Sequence, residues 1–116
     1  MQTVQLIFPK SYRLLRRYDF ARLSSNANVV SFSGFLIVWK NFGCDKPRIG
    51  ITASRKVGGA VVRNMIKRQV REFFRHNVHT IPPVDINVII RRRASEMDFS
   101  ELHHELALAF SRIRMQ

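Results

Sequence analysis

Cysteine, glycine, proline and acidic residues are all scarce in this chain of 116 residues. The single cysteine, Cys44, excludes an intramolecular disulfide and disfavours a thiolate metal site, as is typical of a reducing compartment. We therefore expect a cytoplasmic protein. With only five glycines and four prolines against 46% hydrophobic residues, the composition also excludes wholesale disorder.

Long apolar segments are absent as well. No apolar run approaches the roughly 20 residues that a membrane helix needs. The first nine residues lack the basic start and the apolar stretch of a secretion signal. Since the chain contains no internal repeat and no linker, its length predicts a single domain over 1–116, in which residues 1–10 form an extended N-terminal arm.

The motifs of autonomous catalysis are also missing. The chain has no GxxxxGK(S/T) nucleotide loop and no HExxH zinc motif. Its eight acids are scattered without the paired spacing of a metal site, and the adjacent His103 and His104 cannot ligate one metal from a single helix face. We therefore expect no catalytic residue, no metal site and no nucleotide cofactor in this chain.

Positive charge, by contrast, is abundant. The 20 lysines and arginines give the chain a formal net charge of +12 at pH 7. Because self-repulsion of this size destabilises a small domain, the charge predicts an anionic partner. Nucleic acid, an anionic membrane surface and an acidic protein are the candidates, and the location of the charge distinguishes them.

Hydrophobic periodicity and turn residues predict seven elements in the order α-β-β-β-α-β-α. The helices fall near 16–23, over 60–76 and from Asp98 onward, where Asp98 and Glu101 have capping-box spacing. The strands fall within 29–40, which Ser33-Gly34 divides in two, and over 48–54 and 84–91. This order predicts an α+β sandwich with helices packed on a mixed four-stranded sheet.

The helix predicted over 60–76 carries the densest charge. At about 100° per residue, its apolar residues occupy an arc of roughly 220°. They are Val61, Val62, Met65, Ile66, Val70, Phe73 and Phe74. The other side carries a cation at every fourth position: Arg63, Lys67, Arg71 and Arg75. Asn64 and a further cation, Arg68, fill the rest of this side.

Two interpretations of this basic face remain. It is either a solvated helix surface or a surface that binds a polyanion. Like charges at i,i+4 destabilise a helix by a few tenths of a kcal/mol, so a bound polyanion explains the row better. Arginine, which dominates the row, favours phosphate recognition. Membrane binding is disfavoured because the apolar face is needed to cover the strands.

The run 55–75, RKVGGAVVRNMIKRQVREFFR, closely resembles the signature of the bacterial ribonuclease P protein subunit. That signature is a basic pair, a Val-Gly turn, and then Ala-Val-x-Arg-Asn-x-x-Lys-Arg-x-x-Arg-Glu. Upstream, 14–20 (LLRRYDF) resembles the first helix of the family, and 47–51 (PRIGI) resembles the strand before the signature. The resemblance covers about residues 12–115 and is strongest over 47–75.

This resemblance implies a ribosomal protein S5 domain 2-like fold, with a left-handed βαβ crossover. It also implies a subunit of a ribonucleoprotein that removes 5′ leaders from precursor tRNA, in which the RNA subunit holds the catalytic Mg²⁺ ions. The partners implied are the catalytic RNA and precursor tRNA. The alternative is a structural, ribosomal-type RNA-binding protein with no part in cleavage.

Site residues follow from the same resemblance, position by position. The residues matched to contacts with the catalytic RNA are Arg55, Lys56, Arg63, Asn64, Arg68 and Arg75. The residues matched to the leader cleft are Arg16, Arg17, Phe20, Lys67 and Arg71. Two cleft aromatics of the family are replaced here by Ser24 and Val38. The neighbouring Trp39 is a candidate leader contact, provided that a bulge or a register shift reorients it, because strand neighbours point to opposite faces.

Overall fold

The computed structural model describes residues 10–24 and 26–115; the predicted arm, apart from Lys10, lies outside this described part. After a short 3₁₀ turn at Lys10–Tyr12, the chain forms helices and strands in the predicted order. They are α1 (Arg17–Arg22), β1 (Asn28–Ser31), β2 (Phe35–Lys40), β3 (Arg48–Ala53), α2 (Ala60–Asn77), β4 (Asp85–Ile90) and α3 (Phe99–Phe110).

The four strands form one mixed sheet in the order β1-β2-β4-β3. β2 pairs antiparallel with β1 and β4, whereas β3 lies parallel to β4 at the sheet edge. Because β3 and β4 are adjacent and parallel, α2 is the crossover between them, which confirms the predicted α+β architecture. The left-handedness of this crossover stays a prediction from the resemblance.

One face of the sheet forms the core. Register places Trp39, Ile86 and Ile49 side by side across three strands, and alternation along β2 and β4 keeps Phe35, Ile37, Val88 and Ile90 on this same face. α2 and α3 pack with this face through Ile66, Val70 and Phe74 of α2 and Leu102 and Leu106 of α3, all buried.

The apolar arc predicted for α2 is wider than the arc that it buries. Val61 is 83% exposed and Met65 is 42% exposed. On the helix they lie about 180° and 140° from the fully buried Val70, beyond the reach of a core that contacts mainly the end of the arc formed by Ile66, Val70 and Phe74. Phe99, predicted to belong to the apolar face of α3, is likewise 52% exposed, because it occupies the first turn of the helix.

The predicted cap of α3 is confirmed. The Asp98 carboxylate accepts the Glu101 N–H at 2.8 Å, and the Glu101 carboxylate accepts the Asp98 N–H at 3.0 Å. These two bonds satisfy donors that the first helical turn leaves without partners. The cap therefore fixes where α3 begins after the 3₁₀ turn Arg92–Glu96.

Candidate nucleic-acid interface

A pocket of about 420 Å³ lies along β3, between the segment that leads into α1 and the side of α2. We call it the edge cleft; its lining comprises Arg13, Leu14, Leu15, Phe20, Ile49, Gly50, Ile51 and Arg71. Leu14 N–H donates to the Ile49 carbonyl at 2.9 Å, which ties the segment before α1 to the edge strand. The cleft thus combines an aromatic ring, aliphatic walls and two arginines.

Phe20 reaches this cleft only because residue 50 is a glycine. A Cβ atom built on Gly50 would lie 2.4 Å from Phe20 Cε1 and 2.5 Å from Phe20 Cζ, far inside van der Waals contact. The ring therefore rests directly on the β3 backbone, on the sheet face opposite the core, and remains partly exposed. Gly50 of the PRIGI segment therefore leaves the space that the Phe20 ring occupies.

An ion-pair chain joins α1 to the sheet. Arg48 on β3 donates to Asp85 on β4, from Nε to Oδ1 at 2.9 Å and from Nη2 to Oδ2 at 2.7 Å. The same Nη2 lies 3.5 Å from Asp19 Oδ1 on α1. Because Asp85 is fully buried, this bidentate pair satisfies a carboxylate that has no access to water. The hydrogen bonds to Asp85 raise the pKa of Arg48 above its ordinary value.

Asp19 also orients the start of α1. Its Oδ2 accepts the backbone N–H of Arg16 at 3.4 Å, so the residue links the helix start to the Arg48 guanidinium. Arg16 and Arg17, both matched to leader contacts, are exposed at this helix start. Arg16 also lines a second depression of about 350 Å³ with Asp19 and Arg48.

The basic residues of α2 are divided between two surfaces. Arg71 lines the edge cleft with Phe20, and Lys67 precedes it by one helical turn on the same side. Asn64 and Arg68 are exposed, whereas Arg63 is partly buried.

Arg75, matched to a contact with the catalytic RNA, donates to Glu72 on its own helix. Its charge is therefore partly neutralised within α2. Arg55 and Lys56 are exposed on the 3₁₀ turn Arg55–Val57, immediately before α2.

The structure corrects the expectation for Trp39. Its side chain is only 5% exposed, lies in the core cluster, and donates from Nε1 to the Arg114 carbonyl at 2.9 Å. β2 is regular, with no bulge or register shift to reorient it. Val38 instead occupies the face that carries Gly50 and Phe20, as the register Val38↔Asn87↔Gly50 shows.

A cation–aromatic cluster near α1 is a feature that the sequence did not predict. The Arg22 guanidinium lies 3.7 Å from the ring centroid of Phe42 and 5.3 Å from that of Tyr18, which is 65% exposed. Phe42 belongs to the turn after β2, twenty residues from Arg22 in the chain. No local spacing signals such a contact, because only the packing of α1 on the sheet brings the two together.

Metal-ligand clusters and membrane-spanning helices are both absent from the described residues. Over 10–24 and 26–115, no group of three or more His, Cys, Asp or Glu side chains is arranged to hold a metal ion. Among the same residues, no helix combines the length and the apolar character needed to cross a membrane.

Comparison with known proteins gives a consistent result. The profile of the family described as Ribonuclease P matches residues 8–114. The ribonuclease P protein component of Citrifermentans bemidjiense is 43% identical over 107 residues, covering 92% of each chain. The structure of the Staphylococcus aureus RNase P protein superposes with a TM-score of 0.83 at 34% identity, covering 86% of this chain and 93% of that one. The RNase P protein from Thermotoga maritima gives a TM-score of 0.81 at 36% identity, covering 88% and 97%.

Proposed function

This chain belongs to the ribonuclease P protein family, and from that premise we propose how its two basic surfaces divide the work of the ribonucleoprotein. As the protein component of a ribonuclease, the chain is a subunit in tRNA 5′ processing, and its partner is the RNase P RNA. No observation favours the ribosomal-type alternative. The single Cys44 fits assembly of the particle in a reducing cytoplasm.

In this proposal the RNA subunit carries out the phosphodiester hydrolysis and, together with the substrate, holds the Mg²⁺ ions. The contacts of the acids support this division. Asp19 and Asp85 bind Arg48, Glu72 binds Arg75, and Glu96 binds Arg93. The acids of α3 and its cap are engaged by backbone donors: Asp98, Glu101 and Glu105. Asp45 alone among the eight acids makes no such contact with the residues 10–24 and 26–115, and it lies exposed in a turn.

The edge cleft is proposed as the contact for the 5′ leader of precursor tRNA. A leader is a single strand of varied sequence, so its recognition needs cations along the phosphates and a flat surface for a base. Arg71 and Phe20 meet in the cleft, with Lys67 one turn away, and the exposed Arg16 and Arg17 directly follow Leu15 of the cleft lining in the chain. Stacking of one base on an aromatic ring contributes about 1–3 kcal/mol.

The outer side of α2 and the turn before it are proposed as the contact for the catalytic RNA. The exposed residues here are Arg55, Lys56, Asn64 and Arg68, with Arg63 and Arg75 partly buried beside them. Arg63 Nε is buried and has no hydrogen-bond acceptor among the described residues. Burial of a donor without a partner costs about 1–3 kcal/mol, so a movement of the Arg63 side chain that brings this donor to a phosphate oxygen would be favourable.

The single observation that carries the proposal is the meeting of Arg71 with Phe20 in the edge cleft, since it joins the signature helix to the first helix at one surface. To test it, the protein is combined with a bacterial RNase P RNA at low Mg²⁺ and 5′-leader release from precursor tRNA is followed. Cleavage should require both components. Protein alone releasing the leader, or RNA gaining nothing from the protein, would refute the proposal.

The leader contact is tested with the double variant Lys67→Ala, Arg71→Ala. We expect its preference for precursor over mature tRNA to fall by about tenfold or more, because a charge-assisted hydrogen bond contributes about 1.5–3 kcal/mol. The matched control is Arg112→Ala, Arg114→Ala, which removes the same charge from exposed residues that follow α3. If this preference is unchanged in the Lys67→Ala, Arg71→Ala variant, or falls equally in the control, Lys67 and Arg71 do not contact the leader.

A further inference from the structure

The three consecutive arginines after β4 differ in their contacts. Arg91 Nη1 donates to Ser31 Oγ at 2.6 Å and to the Phe32 carbonyl at 2.8 Å. It therefore ties the end of β4 to the β1–β2 turn. Arg93 Nη1 pairs with Glu96 within the 3₁₀ turn that both residues share.

Arg92 lies between them and is exposed. Within residues 10–24 and 26–115, no acid and no hydrogen-bond acceptor contacts its guanidinium. Its backbone is nonetheless fixed, because its carbonyl accepts the Ser95 hydroxyl at 2.8 Å. Arg92 is thus an ordered position that carries an uncompensated charge.

The fold brings Arg92 close to the start of the signature helix. β3 and β4 are parallel, so the turns that follow them lie at the same end of the sheet. The turn Arg92–Glu96 packs against the turn Arg55–Val57 and against α2, and both turns insert a residue into the core, Ala94 and Val57. Arg55, Lys56 and Arg92 are thus exposed residues of two turns that contact each other, and we call this pair of turns the basic corner.

Like charges brought together in this way destabilise the fold unless an anion accepts them. The corner continues the α2 surface proposed for the catalytic RNA and lies on segments separate from the edge cleft. We propose that Arg92 binds a backbone phosphate of the RNase P RNA together with Arg55 and Lys56, so that the turn after β4 forms a second segment of the RNA-binding surface. This inference rests on the proposed function and deepens it.

Adjacent residues provide matched variants. Arg92→Ala and Arg93→Ala remove the same charge one position apart, but only the first removes a cation without an acidic neighbour. We expect Arg92→Ala to weaken binding to the RNase P RNA by about fivefold or more at low salt. It should also flatten the slope of log K against log salt by about one unit, as the loss of one phosphate contact does. Arg93→Ala should leave the slope within about a third of a unit of wild type.

Further measurements separate a loss of RNA binding from a folding defect and from a loss of leader recognition. Circular dichroism and urea unfolding of Arg92→Ala should match wild type, and Arg92→Lys should restore the salt slope. The preference of Arg92→Ala for precursor over mature tRNA should equal that of wild type. Equal salt slopes for Arg92→Ala and Arg93→Ala would overturn the inference, and a selective loss of precursor preference would assign Arg92 to the leader instead.

The controls also separate this inference from the proposed function. If wild-type protein fails to stimulate leader release by the RNA, the proposed function itself fails. If wild-type protein stimulates release and Arg92→Ala binds the RNA like Arg93→Ala, only the basic corner is refuted.

Discussion

Substitution of Gly50 by alanine probes directly how Phe20 is held in the edge cleft. The added methyl would lie 2.4 Å from Phe20 Cε1, 2.5 Å from Phe20 Cζ and 3.2 Å from Leu14 Cβ. Carbon atoms in ordinary contact are about 3.5–4.0 Å apart. The ring must therefore retreat by about 1 Å or more, or α1 must move away from β3.

The expected cost follows from this geometry. Overpacking of this kind usually destabilises a protein by about 1–3 kcal/mol, and two close ring atoms together with Leu14 place Gly50→Ala in the upper half of that range. The displaced ring should also lose its position beside Arg71. Gly50→Ala should accordingly reduce both the free energy of unfolding and the preference for precursor tRNA.

A double-mutant cycle with Phe20→Ala shows whether the clash with the Phe20 ring is what makes Gly50→Ala destabilising. Removing the ring removes its clash with the new methyl, so Gly50→Ala should cost at least about 1 kcal/mol less in the Phe20→Ala background than in wild type. Urea unfolding measures the stabilities, and competition between precursor and mature tRNA measures discrimination. Equal costs of Gly50→Ala in the two backgrounds would refute the reasoning, because the methyl would then act on something other than Phe20.

Two more predictions concern buried carboxylates. Arg48→Leu leaves the fully buried Asp85 without its bidentate partner and should destabilise the protein by about 3–5 kcal/mol in urea unfolding; a loss under about 1 kcal/mol would contradict this account of the ion pair. Glu105→Ala removes the carboxylate that accepts the Gly34 N–H at 2.7 Å and the Ser33 hydroxyl at 2.9 Å. It should destabilise the protein by about 1–3 kcal/mol. The stability of Glu105→Gln should lie between those of Glu105→Ala and wild type. Equal stabilities for all three proteins would refute the assigned contacts.

Local patterns predicted most of the fold. The break at Ser33-Gly34, the alternation along β2 and β4, and the cap at Asp98 depend on contacts within a few residues, so they can be derived from the chain directly. The row of cations on α2 is equally local. The family resemblance then gave the matched site residues, which no periodicity could supply.

The remaining features depend on contacts between distant segments. Alternation shows that Val38 and Trp39 face opposite sides of β2, but which side is the core depends on where α2 and α3 pack. The link from Arg48 to Asp19 and Asp85, like the contact of Arg22 with Phe42, joins elements far apart in the chain. Such pairs can be identified only once the topology is known.

The position of Trp39 has a consequence for leader recognition. With Val38 and Ser24 at the two positions where the resemblance led us to expect aromatics, and Trp39 in the core, Phe20 is the aromatic residue that lines the edge cleft in the described part of the chain. Its placement depends on a glycine beneath the ring and on the ion pair from α1 to Arg48. Since a single stacked base contributes only about 1–3 kcal/mol, the proposed leader contact predicts that Lys67 and Arg71, through phosphates, supply a larger share of the discrimination. Leader binding by this protein should therefore depend steeply on salt, because phosphate contacts weaken as ionic strength rises whereas stacking does not.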